Sequence, residues 1–153
     1  MLIWKFLHVA AMFLAVAVFV GQGMLSARIV GTGDVHTIRR LITVEARFQP
    51  IGGGLLLLGL IFGFITATSA GFALTAPWLL VSYGLVLILL VTGATFHGPH
   101  ERSLKKLAEE SPEDRPSDEL SSFIAAPSAR VVAAVDGFVW LALVFVMVVK
   151  PFS

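Results

Sequence analysis

The feature that most constrains the fold of this chain is a set of four long apolar blocks. They cover residues 6–25, 51–71, 78–96 and 131–149, and Asp136 is the one residue in them with a formal charge. The hydrocarbon core of a bilayer is about 30 Å thick, and a helix crosses it in about 20 apolar residues. Each block therefore predicts one membrane-spanning helix, and together they predict an all-α, four-helix transmembrane bundle.

With their flanking residues, the predicted spans are 3–25, 51–71, 77–97 and 130–149. The charge-free run of the first span is longer than the apolar region of a signal peptide, which has about 7–15 residues. We therefore interpret this segment as a span and not as a cleaved leader. All four spans are assigned to a single membrane domain over residues 1–153, because the apolar blocks lie too close together for separate folds.

Composition agrees with the membrane class and excludes several kinds of function. Hydrophobic residues make up 57% of the chain and charged residues 14%, whereas a soluble domain has about 45–50% and about 25%. The net charge of +1 predicts no nucleic-acid partner, and the absence of cysteine excludes disulfides and thiol chemistry. The sequence has no phosphate-binding glycine loop, serine elbow or zinc-hydrolase motif, so we predict no catalytic residue of the soluble-enzyme type.

The basic residues predict the orientation of the spans, because cytoplasmic loops are enriched in Lys and Arg. Nine of the 11 Lys and Arg residues lie in the two longer connections, and the exceptions are Lys5 and Lys150. We therefore predict that both termini lie outside a bacterial inner membrane and that the longer connections are cytoplasmic. The nine are Arg28, Arg39, Arg40, Arg47, Arg102, Lys105, Lys106, Arg115 and Arg130.

The hydrophilic connection over residues 98–129 is predicted to be a cytoplasmic loop. Its beginning, from His100 to Glu110, places leucines on one side and charges on the other, which predicts a short helix lying against the lipid headgroups. The following run from Ser111 to Ser117 is rich in proline and acidic residues and predicts a flexible, solvated segment.

Small residues predict where the second span packs. Gly59 and Gly63 form a small-xxx-small pair, and such pairs let two helix backbones approach closely in lipid. Packing within the four-helix bundle is the simplest interpretation. A homodimer seam or a close approach to a flat cofactor are the alternatives.

One face of the first span carries a candidate cofactor site. His8 lies one turn into the span, and Gln22 falls within about 40° of the same helical face. A histidine at this position can ligate haem iron or a metal. The alternative is an interfacial histidine that is hydrogen-bonded to a neighbouring span.

A second set of polar residues lies toward the cytoplasmic side. Asp136 is about a turn and a half inside the fourth span, where a bare carboxylate must be neutral or paired. An ion pair with Arg130, Arg47 or Arg28 is the first expectation, and a proton-handling carboxylate is the alternative. The remaining histidines are expected to be solvated, although two of them could flank a haem edge; they are His36, His97 and His100.

Several short motifs resemble those of HemJ-like protoporphyrinogen oxidases. Ile3-Trp4-Lys5-Phe6-Leu7-His8 is similar to the Leu-Trp-Leu-Lys-Ala-Leu-His run that opens that family's first span, and Val148-Val149-Lys150-Pro151-Phe152 is similar to its closing Val-Val-Lys-Pro-Phe. Glu45-Ala46-Arg47-Phe48 resembles its Glu-Arg-Arg-Leu run. Ile61-Phe62-Gly63 and Trp78 also fall in register. The same resemblance extends to copper-resistance D proteins and to a sister family of predicted four-span membrane proteins.

The chain departs from the oxidase pattern at charged positions. The lysine that the family places four residues after the tryptophan of the third span is Ser82 here, and its Tyr-His becomes Phe96-His97. Its Asn-Glu-Pro motif has no counterpart, and Asp136 is offset by about two residues. The resemblance therefore implies a haem-related scaffold without the oxidase activity, and the sister family matches better.

Three functions follow as expectations. The first, which the resemblance implies, is a non-catalytic or redox-associated membrane protein that holds or adjoins a b-type haem. His8 would be the ligand, and the face around Met12, Ala15 and Gln22 would line the pocket. The second is a cofactor-free accessory subunit, which would pack against a larger respiratory or photosynthetic complex or form a homo-oligomer. The third is a transporter of a metal or a proton-coupled substrate, with Asp136 and the cytoplasmic histidines on its path.

Overall fold

The computed structural model describes residues 2–151, and Phe152 of the C-terminal motif lies outside them. This part of the chain is helical, with no strand. The helices are α1 (Leu2–Val30), α2 (Val35–Ser69), α3 (Pro77–Thr92), α4 (Gly98–Glu110), α5 (Asp118–Ala125) and α6 (Ser128–Val149), and a π-helical turn (Gly93–His97) joins α3 to α4. Four helical stretches are long and apolar enough to cross a membrane. The all-helical class and the four candidate spans are thus confirmed, whereas the orientation stays a prediction.

Helices α1 and α2 form a tightly packed pair because α2 presents small residues to α1. A Cβ atom built on Gly59 would lie 2.5 Å from the Met12 sulfur, and one on Gly63 would lie 3.0 Å from the ring of His8. Ala15 on α1 is fully buried. The prediction that Gly59 and Gly63 mark a packing face within the bundle is confirmed, because α1 occupies the space that their missing side chains leave.

Helices α3 and α6 form the second pair, which meets the end of α2 in a small apolar cluster. Trp78 and Leu79 at the start of α3 are buried there with Val146 of α6 and Ala67 of α2. Pro77 occupies the first helical turn of α3, where its missing N–H costs no hydrogen bond. The cluster holds the ends of three spans together on one side of the bundle.

The outer surface of the long helices is strongly apolar. Large side chains such as Phe13, Phe138 and Leu141 are each more than 70% exposed. A monomeric soluble protein rarely exposes apolar patches of more than a few hundred Å². The exposed side chains therefore face a bilayer, in agreement with the spans predicted from the sequence.

The connection over residues 98–129 is not an open loop. Leu104 and Ala108 of α4 and Leu120 of α5 are buried against Val35 and Ile38 at the start of α2. The predicted helix over residues 100–110 is present, but it continues α3 through the π-helical turn and packs on protein. The prediction of headgroup contact rested on the apolar side of α4. In the structure, residues of α2 and α5 cover that side.

The predicted flexible segment from Ser111 to Ser117 is instead tied by hydrogen bonds. The Ser111 hydroxyl contacts the Ser117 hydroxyl at 3.1 Å, and the Ser117 hydroxyl accepts from the backbone N–H of Leu120 as the N-cap of α5. Arg39 of α2 donates to the carbonyls of Ala108, at 2.8 Å, and of Ser111, at 2.8 Å. The guanidinium therefore satisfies carbonyls that the end of α4 would leave unpaired.

Candidate functional site

The most specific polar arrangement in the described residues connects the third and fourth spans. Asp136 of α6 lies with its Oδ2 2.5 Å from Nε2 of His97, and its Oδ1 accepts a hydrogen bond of 3.0 Å from the Thr92 hydroxyl. The Asp136 side chain is 14% exposed and that of His97 is 41% exposed. We call Thr92, His97 and Asp136 the polar centre.

The π-helical turn explains how one carboxylate reaches both partners. In a regular α-helix, residues five apart differ by about 140° around the axis, because each residue turns by about 100°. The π-helical turn between Gly93 and His97 has more residues per turn, and the backbone N–H of Gly98 bonds to the carbonyl of Gly93. Thr92 and His97 thereby come to the same side of the helix. Such single π turns are frequent at functional sites.

The polar centre corrects the partner predicted for Asp136. The side chains of Arg130, Arg47 and Arg28 are exposed, and among the described residues His97 is the basic group within ion-pair distance of the carboxylate. An arginine was expected because it is permanently charged and enters from the same side. The imidazole of His97 is closer because it lies in the π-helical turn that continues α3, and α3 packs directly against α6.

The environment of the other histidines also differs from a solvated loop. His100 stacks between Phe96 and Phe123, with ring centroids 5.4 Å and 4.6 Å away. His100 therefore belongs to packed helices, contrary to the expectation of solvation. The His97 side chain is 41% exposed but contacts Asp136, and His36 is exposed as predicted.

His8 is positioned by α2. Its Nδ1 lies 2.7 Å from the carbonyl oxygen of Gly59, and because a carbonyl can only accept, Nδ1 carries the hydrogen. In the neutral ring, Nε2 then keeps its lone pair, which is the arrangement of histidines that bind metals or haem iron. His8 could therefore offer Nε2 to a metal or haem iron, and the Gly59 contact is the interhelical hydrogen bond named as the alternative.

The rest of the predicted haem pocket does not converge on His8. Met12 and Ala15 face α2 and fill the interface with it. Gln22 lies 14 residues from His8, which is about 21 Å along the helix. Its amide nitrogen is buried with no hydrogen-bond partner in the described part of the chain. Of the residues predicted for the pocket, His8 alone would hold a haem, and it would do so through Nε2.

Residues 2–151 contain no group of three or more His, Cys, Asp or Glu side chains that could hold a metal ion.

The sequence reasoning missed Thr92, because a threonine five residues from a histidine shares no α-helical face with it. Only the backbone shows the π-helical turn that brings the two residues together. No known protein family, curated protein or solved structure matches the chain.

Proposed function

We propose that the protein is a proton-coupled, multi-pass membrane transporter that takes up and releases a proton at the polar centre. The observation that carries this proposal is the 2.5 Å contact between His97 and Asp136. Ionisable residues within a membrane bundle are costly, so they are rare and mark proton or substrate paths. A transporter is the third of the functions considered from the sequence. It is favoured because two spans each supply one member of the pair formed by His97 and Asp136.

The chemistry of the centre suits a single exchangeable proton. An imidazole and a carboxylate at this distance hold one proton between them, so gain or loss of a proton changes the net charge of the pair by one. The Thr92 hydroxyl has two acceptors within reach, the Asp136 carboxylate at 3.0 Å and the Leu89 carbonyl at 3.1 Å. Its single hydrogen can stabilise the charged carboxylate and turn to the carbonyl when the carboxylate is protonated.

The two side chains of the pair differ in exposure, which indicates the side from which a proton would enter. His97 is the more exposed partner and lies at the end of the apolar part of its helix, whereas Asp136 is largely covered. A proton would reach His97 first and pass to Asp136. The neighbouring His100, stacked between two phenylalanines, lies on the same approach.

Proton movement can be measured after reconstitution of the purified protein in liposomes that contain a pH-sensitive dye. With a potassium gradient and valinomycin as driving force, we expect wild-type vesicles to acidify faster than protein-free vesicles. We expect Asp136→Asn to fall to the protein-free rate, because the amide cannot exchange a proton. Asp114→Asn, in the exposed connection before α5, is the matched control and should keep the wild-type rate. An Asp136→Asn rate equal to wild type contradicts the proposal.

The second candidate is a haem-binding, redox-associated role, which the orientation of His8 favours. Haem would supply electron transfer, while His8 would hold the iron through Nε2 and the Gly59 carbonyl would fix the ring. We expect a Soret band in the purified protein that shifts on reduction with dithionite and is lost in His8→Ala. His36→Ala, at an exposed position of α2, should retain the band. Protein purified from haem-supplied cells without a Soret band argues against this candidate.

A further inference from the structure

A cavity of about 310 Å³ opens at the end of the bundle opposite the polar centre. It lies where α1 begins and where α2 and α6 end. The residues that line it are Leu2, Lys5, Thr66, Ala70, Phe72 and Lys150. Its lining combines two cations with apolar walls, and among the described residues no carboxylate lines it.

Lys150 is held in place at this cavity. Its backbone has a φ of 48°, in the left-handed region that non-glycine residues rarely adopt. Its ammonium lies 4.4 Å from the centroid of the Phe72 ring and 5.3 Å from that of Trp78. The aromatic faces attract the cation and keep it over the connection between α2 and α3.

Lys5 supplies the second charge from the first turns of α1. Within residues 2–151, neither Lys5 nor Lys150 has a carboxylate within ion-pair distance, whereas Lys105 and Lys106 pair with Glu109 and Glu110. The two cations of the cavity therefore face it without an acidic partner from the described chain.

We propose that this cavity binds an anionic phospholipid, with Lys5 and Lys150 contacting its phosphate-bearing headgroup. Both lysines lie at the ends of membrane-spanning helices, where long basic side chains reach the headgroup level. Leu2, Ala70 and Phe72 give the cavity apolar walls that suit the glycerol and upper acyl region. This site is independent of the polar centre, which lies toward the other end of the spans.

The proposal can be tested by native mass spectrometry of protein exchanged into micelles containing phosphatidylcholine and a small fraction of phosphatidylglycerol. We expect one phosphatidylglycerol to remain bound to the wild type in preference to phosphatidylcholine. Lys5→Gln combined with Lys150→Gln should weaken this binding about thirtyfold, which corresponds to about 2 kcal/mol for two lysines near a headgroup. Lys5→Gln alone, which leaves the end of α6 untouched, should weaken it about fivefold.

The matched control combines Lys105→Gln with Lys106→Gln, which removes the same charge from the opposite end of the spans. This variant should retain the bound lipid. Equal binding by the wild type and the Lys5/Lys150 double variant would overturn the proposal. Displacement of the lipid by inorganic phosphate alone would also overturn it, because the cavity would then recognise a free anion without the acyl chains.

Discussion

Replacement of Gly63 by leucine is expected to lower the free energy of unfolding by about 3 kcal/mol. A Cβ atom at this position already lies 3.0 Å from two ring atoms of His8, and leucine adds three further carbons in the same direction. Overpacking of a filled interface costs about 1–3 kcal/mol. The displaced ring also loses its hydrogen bond to Gly59, which adds about 1 kcal/mol in a membrane interior.

Gly53→Leu is the matched control on the same helix, since a Cβ atom there meets no other atom within 4 Å. It should leave stability unchanged or raise it by up to about 1 kcal/mol, because leucine is the better helix former. The measurement is thermal unfolding of both variants in the same detergent. Equal melting temperatures for Gly63→Leu and Gly53→Leu would show that α1 and α2 do not pack as described.

Replacement of His97 by alanine is expected to lower the free energy of unfolding by about 2 kcal/mol. The change leaves Oδ2 of Asp136 without its partner at 2.5 Å, and the Asp136 side chain is only 14% exposed in the wild-type protein. Loss of one partner from a buried polar pair costs about 1–3 kcal/mol, because the other group keeps its desolvation penalty. Partial exposure of His97 keeps the effect below that of a fully buried ion pair.

A double-mutant cycle separates the pair from the two single residues. Asp136→Asn in the His97→Ala background should cost less than Asp136→Asn alone, with a coupling energy of about 1 kcal/mol or more. His36→Ala, at an exposed site, controls for loss of a histidine and should have little effect. Additive effects of the two changes, within about 0.5 kcal/mol, would mean that His97 and Asp136 do not interact in the folded protein.

Much of the fold follows from the local sequence. Uninterrupted apolar runs define the four spans because the bilayer penalises every unpaired polar group along about 20 residues. The pair Gly59 and Gly63 also predicted a packing face, because the spacing of small residues is a property of one helix. The packing of the 98–129 connection on protein was not predicted, because α4 and α5 bury their leucines against the start of α2, which is more than 60 residues away.

The candidate sites depended more strongly on long-range packing. Asp136 was identified as a residue that needs a partner, but its partner comes from a helix 39 residues earlier. The prediction that Arg130, Arg47 or Arg28 pairs with Asp136 was wrong, because these three side chains are exposed. Likewise, the spacing of His8 and Gln22 put them on one helical face without showing that α2 covers the stretch between them.

The sequence by itself determined that the chain is a bundle of four apolar helices, and that a histidine and an aspartate inside them need an explanation. Both conclusions rest on the free energy of moving single residues from water into lipid, which needs no knowledge of neighbours. Only the tertiary structure decided that His97 and Thr92 meet Asp136, because a single π-helical turn changes which side chains share a face. The four predicted spans already put Lys5 and Lys150 on one side of the membrane, but only the packing of the helices brings both into the lining of one cavity.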